Sequence, residues 1–195
     1  MIKNIIFDFG GVLVNDRSDD AFLTEIIQKL PKEQRLKNRE ILTQSELGQI
    51  PYENVWKFDE EILFPNKSRK EIEDFFLNTE VYETFSLAEK LLPNYKVIIF
   101  SNNHKGAPEM TAKNLNINIS QFPFINSALV GMRKPDIKFY KYLIKQHNLI
   151  PAESVFIDNT LKNLAPAQML GIQTFHYTKN NNELASFLKK LGINF

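Results

Sequence analysis

Apolar residues recur along this chain in two rhythms. Short continuous runs rich in β-branched and aromatic residues read as strands: "NIIFD" (4–8), "KVIIFS" (96–101), "SVFID" (154–158) and "IQTFHY" (172–177), with a weaker "PFINS" (123–127). They do not alternate apolar with polar, which fits strands covered by helices on both faces. Between them the apolar positions take helical spacing. "SLAEKLL" puts Leu87, Leu91 and Leu92 on one face. "KPDIKFYKYLIKQHNL" offers Pro135 as a first helical residue, with Ile137, Tyr140 and Ile144 on one stripe. "NLAPAQMLG" ends at Gly171, a residue suited to closing a helix, and tolerates Pro166 in a first turn if Asn163 is the cap. This alternation predicts an α/β fold, a Rossmann-like doubly wound and mainly parallel sheet.

The stretch from 16 to 84 has no strand pattern. "DAFLTEIIQKL" repeats Phe22, Leu23, Ile26, Ile27 and Leu30 at helical spacing, and "PYENVWKFDEEIL" reads as another helix. "SRKEIEDFF" opens on a capping box, Ser68 with Glu71, and carries Ile72, Phe75 and Phe76. Roughly 70 residues therefore separate the first strand from the second, where a connection of about 2–6 is usual. We read residues 16–84 as a small all-helical cap domain over an α/β core built from 1–15 and 85–195.

Composition narrows the picture without changing it. The chain has 195 residues, 43% of them apolar, enough for one core plus an insertion. Its 24 Lys and Arg balance 23 Asp and Glu, so nothing asks for nucleic acid or an anionic membrane. With no cysteine, disulfides, thiolate metal sites and a cysteine nucleophile are excluded. The apolar run at the amino terminus is too short for a signal peptide, and no run approaches a membrane span. A soluble cytoplasmic protein is expected, with its oligomeric state left open.

Ligands of open α/β sheets bind outside the carboxyl ends of the strands. The residues there are polar. The first strand ends on Asp8, the second on Ser101, Asn102 and Asn103, and the fourth on Asp158 and Asn159, while Lys134 stands in "GMRKPD" before a helix. Taken singly, each reads as a turn, cap or solvated residue. Together they have a chemical logic. Asp8 suits a nucleophile or a metal ligand, and Asp158 suits a divalent cation of the Mg²⁺ type. Ser101, backbone amides near Asn102, and Lys134 suit the oxygens of a phosphoryl group. Gly10 and Gly11 let the backbone approach a bound ion without a Cβ in the way. His104, His147 and His176 have no metal-ligand spacing and read as surface or core residues.

These segments resemble the four motifs of the haloacid dehalogenase-like (HAD) hydrolases, and the likeness covers nearly all of the chain. "IIFDFGGVLV", "VIIFSNN", "GMRKPDIKFY" and "SVFIDNTLKNLAPAQMLGI" follow in the family's order and spacing. The helical stretch after the first motif, with "SELGQIPYENVW" in it, resembles the cap of one subfamily. The resemblance implies that Asp8 is phosphorylated and also binds Mg²⁺, with the Gly10 carbonyl, Asp158 and Asn159 completing the metal site. Ser101, Asn102, Lys134 and the backbone at Gly11 would hold the phosphoryl group, and Lys134 would anchor Asp8. Two positions depart from the pattern. Most phosphatases of the family carry a general acid two residues after the nucleophile, where this chain has Gly10. The fourth motif often reads Asp-Asp, where this chain has Asp158-Asn159. Glycine at the acid's position also occurs in a branch that includes sugar-phosphate phosphatases.

The expected function is a Mg²⁺-dependent phosphatase acting on a small phosphorylated metabolite, a sugar phosphate among the candidates, through an aspartyl-phosphate on Asp8. The alternatives are a 2-haloacid dehalogenase, whose leaving halide needs no proton, and a catalytically weak member that binds a phosphorylated ligand or a partner protein.

Overall fold

The computed structural model describes residues 1–17 and 20–195; residues 18 and 19 of the expected cap lie outside the described residues. In chain order the elements are β1 (Asn4–Phe7), α1 (Ala21–Lys29), α2 (Lys32–Glu46), α3 (Glu53–Phe58), a π-helical turn (Asp59–Leu63), α4 (Arg69–Leu77), α5 (Glu83–Leu91), β2 (Lys96–Ser101), α6 (Ala107–Leu115), β3 (Phe124–Asn126), α7 (Ser127–Val130), α8 (Ile137–His147), a 3₁₀ turn (Pro151–Glu153), β4 (Ser154–Asp158), α9 (Leu161–Met169), β5 (Gln173–His176) and α10 (Asn181–Lys190).

The five strands pair in parallel in the order β3-β2-β1-β4-β5. Winding runs outward from β1 to one side and then, from β4, to the other. The order reverses beside β1, which leaves a crevice at its carboxyl end. The continuous apolar strands divide by pleat between two layers. Ile5, Phe7, Val97, Ile99, Val155 and Ile157 pack toward α5 and α10. Ile6, Ile98, Phe100 and Phe156 pack toward Phe139, Tyr140 and Leu143 of α8 and Leu164 and Ala167 of α9. Both faces are apolar because both are covered.

Two helix starts differ from the sequence reading. Helix α8 begins at Ile137 with Asp136 as its cap, so Pro135 precedes the helix. Helix α9 begins at Leu161, which puts Asn163 inside it and Pro166 beyond its first turn. Thr160 is the cap residue and makes no side-chain cap bond. Its own N–H goes to Asp158 Oδ1 at 2.7 Å, so the strand-end carboxylate fixes the residue from which the helix starts. Gly171 does close α9 with φ of 85°.

Between β1 and α5 the described residues form helices and the π turn, with no strand of their own. They carry a separate core of Trp56, Phe58, Leu63, Phe64 and Ile72, ringed by Leu23, Ile26, Ile27 and Phe75. The capping box of α4 forms as read: Ser68 N–H donates to Glu71 Oε2 at 2.8 Å. The two strands of chain that enter and leave this insertion are stitched together. Tyr82 N–H donates to the Leu13 carbonyl and Asn15 N–H to the Glu80 carbonyl, both at 2.9 Å. Among the described residues no helix is long and apolar enough to cross a membrane.

Candidate active site

The carboxyl ends of β1, β2 and β4 meet over one buried lysine. Lys134 is 1% exposed, and its Nζ lies 2.9 Å from Asp8 Oδ2 and 2.7 Å from Asp158 Oδ2. The ammonium also sits over the Phe100 and Phe156 rings, at 5.6 and 5.3 Å. Asn102 fixes its backbone from both sides: Oδ1 accepts from Lys134 N–H at 2.7 Å and Nδ2 donates to the Lys134 carbonyl at 2.9 Å. Asp158 is fully buried and held by Thr160 N–H and by Asn163 Nδ2, the latter at 3.1 Å from both oxygens. Asp8 Oδ1 accepts from Phe9 N–H at 2.7 Å.

The electrostatics follow from burial. Desolvation pushes the Asp8 carboxyl up to about 7; Asp158 adds to the rise and Lys134 opposes it. Burial on its own would lower the Lys134 ammonium, but the two carboxylates outweigh it and hold the lysine above its usual range. Two carboxylates facing one cation leave the cluster short of positive charge.

A divalent cation fits that deficit. Among the described residues no group of three or more His, Cys, Asp or Glu is arranged to hold a metal. A cation here would therefore draw on two carboxylates, a backbone carbonyl and water, the donor set Mg²⁺ prefers. The Gly10 carbonyl suits it, since no described residue donates a hydrogen bond to it.

The glycines of the β1 loop have separate jobs. Gly11 adopts φ of 73°, and a Cβ there would stand 2.2 Å from Asn159 Nδ2. Its N–H donates to the Val14 carbonyl at 2.8 Å. Gly11 therefore lies away from the cavity, against the expectation of a phosphate contact, and keeps the loop tight on Asn159. A Cβ at Gly10 would stand 2.5 Å from Asp16 Oδ2. The Asp16 carboxylate thus lies where a side chain at position 10 would begin.

A cavity of about 350 Å³ opens above Asp8. Its floor is Asp8, Gly10, Asp16, Ser101 and Asn102, and its far wall is the helical insertion through Asn38, Tyr52, Trp56 and Asp59. Lys134, Asp158 and Asn159 stand behind the floor rather than in it. The Asn102 amide is committed to Lys134, so a phosphoryl contact from this residue falls to its backbone. Ser101 is buried, and its hydroxyl makes only a long 3.4 Å contact with the Asn102 carbonyl.

Sequence reasoning passed over His104. It lines the cavity and stacks on Tyr52, ring centroids 4.4 Å apart and 14° from parallel. Burial, with help from Arg133, holds its imidazole down at about 4, so it is neutral at physiological pH. Its place directly after "SNN" at a strand end was the signal available. Asn38 and Asp59 had none, because each is an ordinary helix-surface residue until the insertion folds over the sheet.

This arrangement agrees with a family match. A model described as a haloacid dehalogenase-like hydrolase covers residues 2–171. The chain belongs to the haloacid dehalogenase-like hydrolases. A D-ribitol-5-phosphate phosphatase of Bacteroides thetaiotaomicron is 26% identical over 191 residues, covering 90% of this chain and 91% of that protein. A sesquiterpene phosphatase of Aspergillus oryzae is 46% identical over 52 residues, a match spanning 27% of this chain and only 26% of that one. Among solved structures, a HAD-family enzyme of Bacteroides thetaiotaomicron in its magnesium complex superposes with a TM-score of 0.77 at 25% identity, covering 95% of this chain and 98% of its own. The same enzyme has been solved with magnesium and inorganic phosphate, TM-score 0.76 at 24% identity, covering 94% of this chain and 99% of its own.

Proposed function

We propose that this hydrolase is a Mg²⁺-dependent phosphomonoesterase acting on a small phosphorylated metabolite, with residues 16–84 as its cap and the cytoplasm as its place of work. The observation that carries this reading is Lys134, buried between Asp8 and Asp158. A lysine shared by two carboxylates at the switch point of a parallel sheet suits a site built for a dianion and a cation together. The phosphatase and the magnesium-bound enzyme among the relatives support the same choice.

Held by Asp8, Asp158, the Gly10 carbonyl and water beside Asn159, the cation would supply charge neutralisation for the phosphoryl oxygens. The protein's own groups do the rest. Ser101 Oγ and the Asn102 N–H bind phosphoryl oxygens, since the N–H groups of Asn103 and His104 are taken by Ser127 Oγ and Asn103 Oδ1; Lys134 aims Asp8 and opposes the burial that favours its protonated form. An Asp8 oxygen bonds to phosphorus while the ester P–O bond breaks, and the leaving oxygen takes a proton. Asp16, standing at the place a side chain on residue 10 would occupy, is the group positioned to give it. Water then gives a proton to the Asp16 carboxylate as its oxygen bonds to phosphorus and the P–O bond to Asp8 breaks, so phosphate leaves with Asp8 and Asp16 both restored.

The test is phosphate release from a panel of phosphomonoesters with and without Mg²⁺. Turnover that needs Mg²⁺ and falls to background in Asp8→Asn is the expected result. No release above that background, or halide release from 2-haloacids without Mg²⁺, would overturn the reading.

A further inference from the structure

The helical insertion turns two largely buried polar side chains, Asp59 and Asn38, toward the cavity without a partner for either among the described residues. Asp59 is 5% exposed and Asn38 is 6% exposed. Neither side chain makes a hydrogen bond or an ion pair with any described residue. The nearby guanidinium of Arg69 is already committed to Glu53, Glu60 and Glu73, at 2.8–3.0 Å. A largely buried carboxylate left to cavity water alone is costly for a small core to hold, since buried polar groups are ordinarily paired. Asp59 is the first residue of the turn, and the residue before it, Phe58, holds the cap position.

Both residues line the cavity that has Asp8 on its floor. They reach it from different elements, Asn38 from the middle of α2 and Asp59 from the start of the π turn. A π turn widens a helix by a residue and re-aims the side chains around it, and such turns recur at functional sites. Here α3 buries Val55, Trp56 and Phe58, and the turn that follows adds Asp59 to the cavity wall. Around them that wall is largely apolar, with Leu23, Ile27, Leu63 and Phe76, and Tyr52 and Glu46 are further polar residues in it. Burial, against the pull of Arg69 and with Glu60 adding, pushes the Asp59 carboxyl up to about 7. It is a group short of donors.

Building on the phosphatase reading, we infer that Asp59 and Asn38 read hydroxyl groups on the non-phosphorylated part of the substrate, which makes that substrate a short polyol or sugar phosphate. A carboxylate accepts from hydroxyls, and an amide both donates and accepts, so the pair suits a carbon chain bearing several of them. A second anionic group at that end would be repelled by Asp59. A purely apolar tail would leave both residues unpaired once it had displaced their water, so the wall selects against prenyl and alkyl phosphates. A volume of about 350 Å³ is at the small end for ligand pockets and fits a molecule of sugar-phosphate size.

The test compares three probes on the full chain with Mg²⁺: a pentitol 5-phosphate, phenyl phosphate and farnesyl phosphate. In Asp59→Leu and Asn38→Leu, the ratio of kcat/KM for the pentitol phosphate to that for phenyl phosphate should fall on the order of 10–100-fold. Asp59→Leu should also melt at a higher temperature than the wild type, because it removes an unpaired buried charge. A merely structural role would instead lower the melting temperature and reduce all three rates together, which overturns the inference. Wild-type preference for farnesyl phosphate overturns it while the phosphatase reading stands. Wild type that hydrolyses none of the three removes the phosphatase reading, and the inference with it.

Discussion

Single residues at this site are set by what their neighbours leave open. At position 10 the family's usual acid is missing, yet the space beside it is filled, since Asp16 Oδ2 lies 2.5 Å from where a Cβ would be. Restoring the acid by Gly10→Asp should therefore not raise activity; the new side chain would have to displace Asp16. By contrast, Asp16→Asn should lower kcat on an alkyl phosphate by ~10²–10⁴-fold, the usual worth of a general acid, and much less on an aryl phosphate with a better leaving group. A steady-state comparison of the two substrates checks both statements. Asp59 gives a stability prediction from the same kind of reasoning. Its carboxyl is raised from 3.8 to about 7 in the folded protein, so between these values the native state holds a proton that the unfolded chain has released. This residue's contribution to stability is thus most favourable below pH 4, declines as pH rises, and is level above about 7. Asp59→Asn, which cannot ionise, should gain stability over wild type across that window, by a few kcal/mol at most. Urea titrations at pH 5, 6, 7 and 8 should show the gap widening and then levelling; a constant gap would mean that Asp59 finds a partner in solution.

At the scale of elements, legibility tracked how strongly a segment's own pattern spoke. The central strands β1, β2 and β4 were readable because each is a nearly unbroken apolar run, and both layers of the core, with Ile5 on one face and Ile6 on the other, explain why. The α4 start was readable because its capping box is local. Helix α2 was not read, because "KEQRLKNREILTQSE" has good helix formers but no apolar stripe; it buries Asn38 and Ser45 rather than a row of leucines. The α9 start was misread because Asn163 was taken as its cap, whereas the helix follows Thr160, whose N–H is held by the strand-end Asp158. The docking of α2 on the sheet domain could not be read at all. Arg133, next to Lys134, holds Thr43 Oγ1 at 2.9 Å and Glu46 Oε2 at 2.6 Å. Just beyond α2, Gly48 adopts φ of 67°, and a Cβ there would sit 2.2 Å from the Ala128 carbonyl. The neighbour is backbone, so it has little room to relax. Gly48→Ala should therefore destabilise the protein by roughly 1–3 kcal/mol and raise KM by shifting the cavity's far wall, with the phosphate release of bound substrate less affected. Melting curves and a KM against kcat split would detect it; an unchanged KM would mean that α2 keeps its place without this contact.

For the whole molecule, the site joins three strands, one loop and an insertion that meet only after folding. Which polar residues stand at strand ends was legible, since the end of a strand is visible in the sequence. Their convergence on Lys134 was an inference from topology, and the far wall depended on an approach of helices to the sheet that no local pattern encodes. The assembled cluster has an energetic consequence. Asp8 and Asp158 share one ammonium, with Asp8 only 8% exposed, so full ionisation of Asp8 would leave one negative charge uncompensated. Such a site destabilises the fold until something positive completes it. A cation that binds the folded chain and not the unfolded one stabilises it by mass action, about 2.7 kcal/mol at a hundred times its dissociation constant. Adding Mg²⁺ should thus raise the melting temperature in a concentration-dependent way, and chelation should reverse the rise. Asp158→Asn removes one of the two carboxylates and should abolish most of the Mg²⁺ effect while leaving the apo protein at least as stable. If Mg²⁺ moved the melting temperature of wild type and Asp158→Asn equally, the ion would be acting elsewhere on the protein, and the charge deficit around Lys134 would need another partner, the phosphoryl group being excluded by its sign.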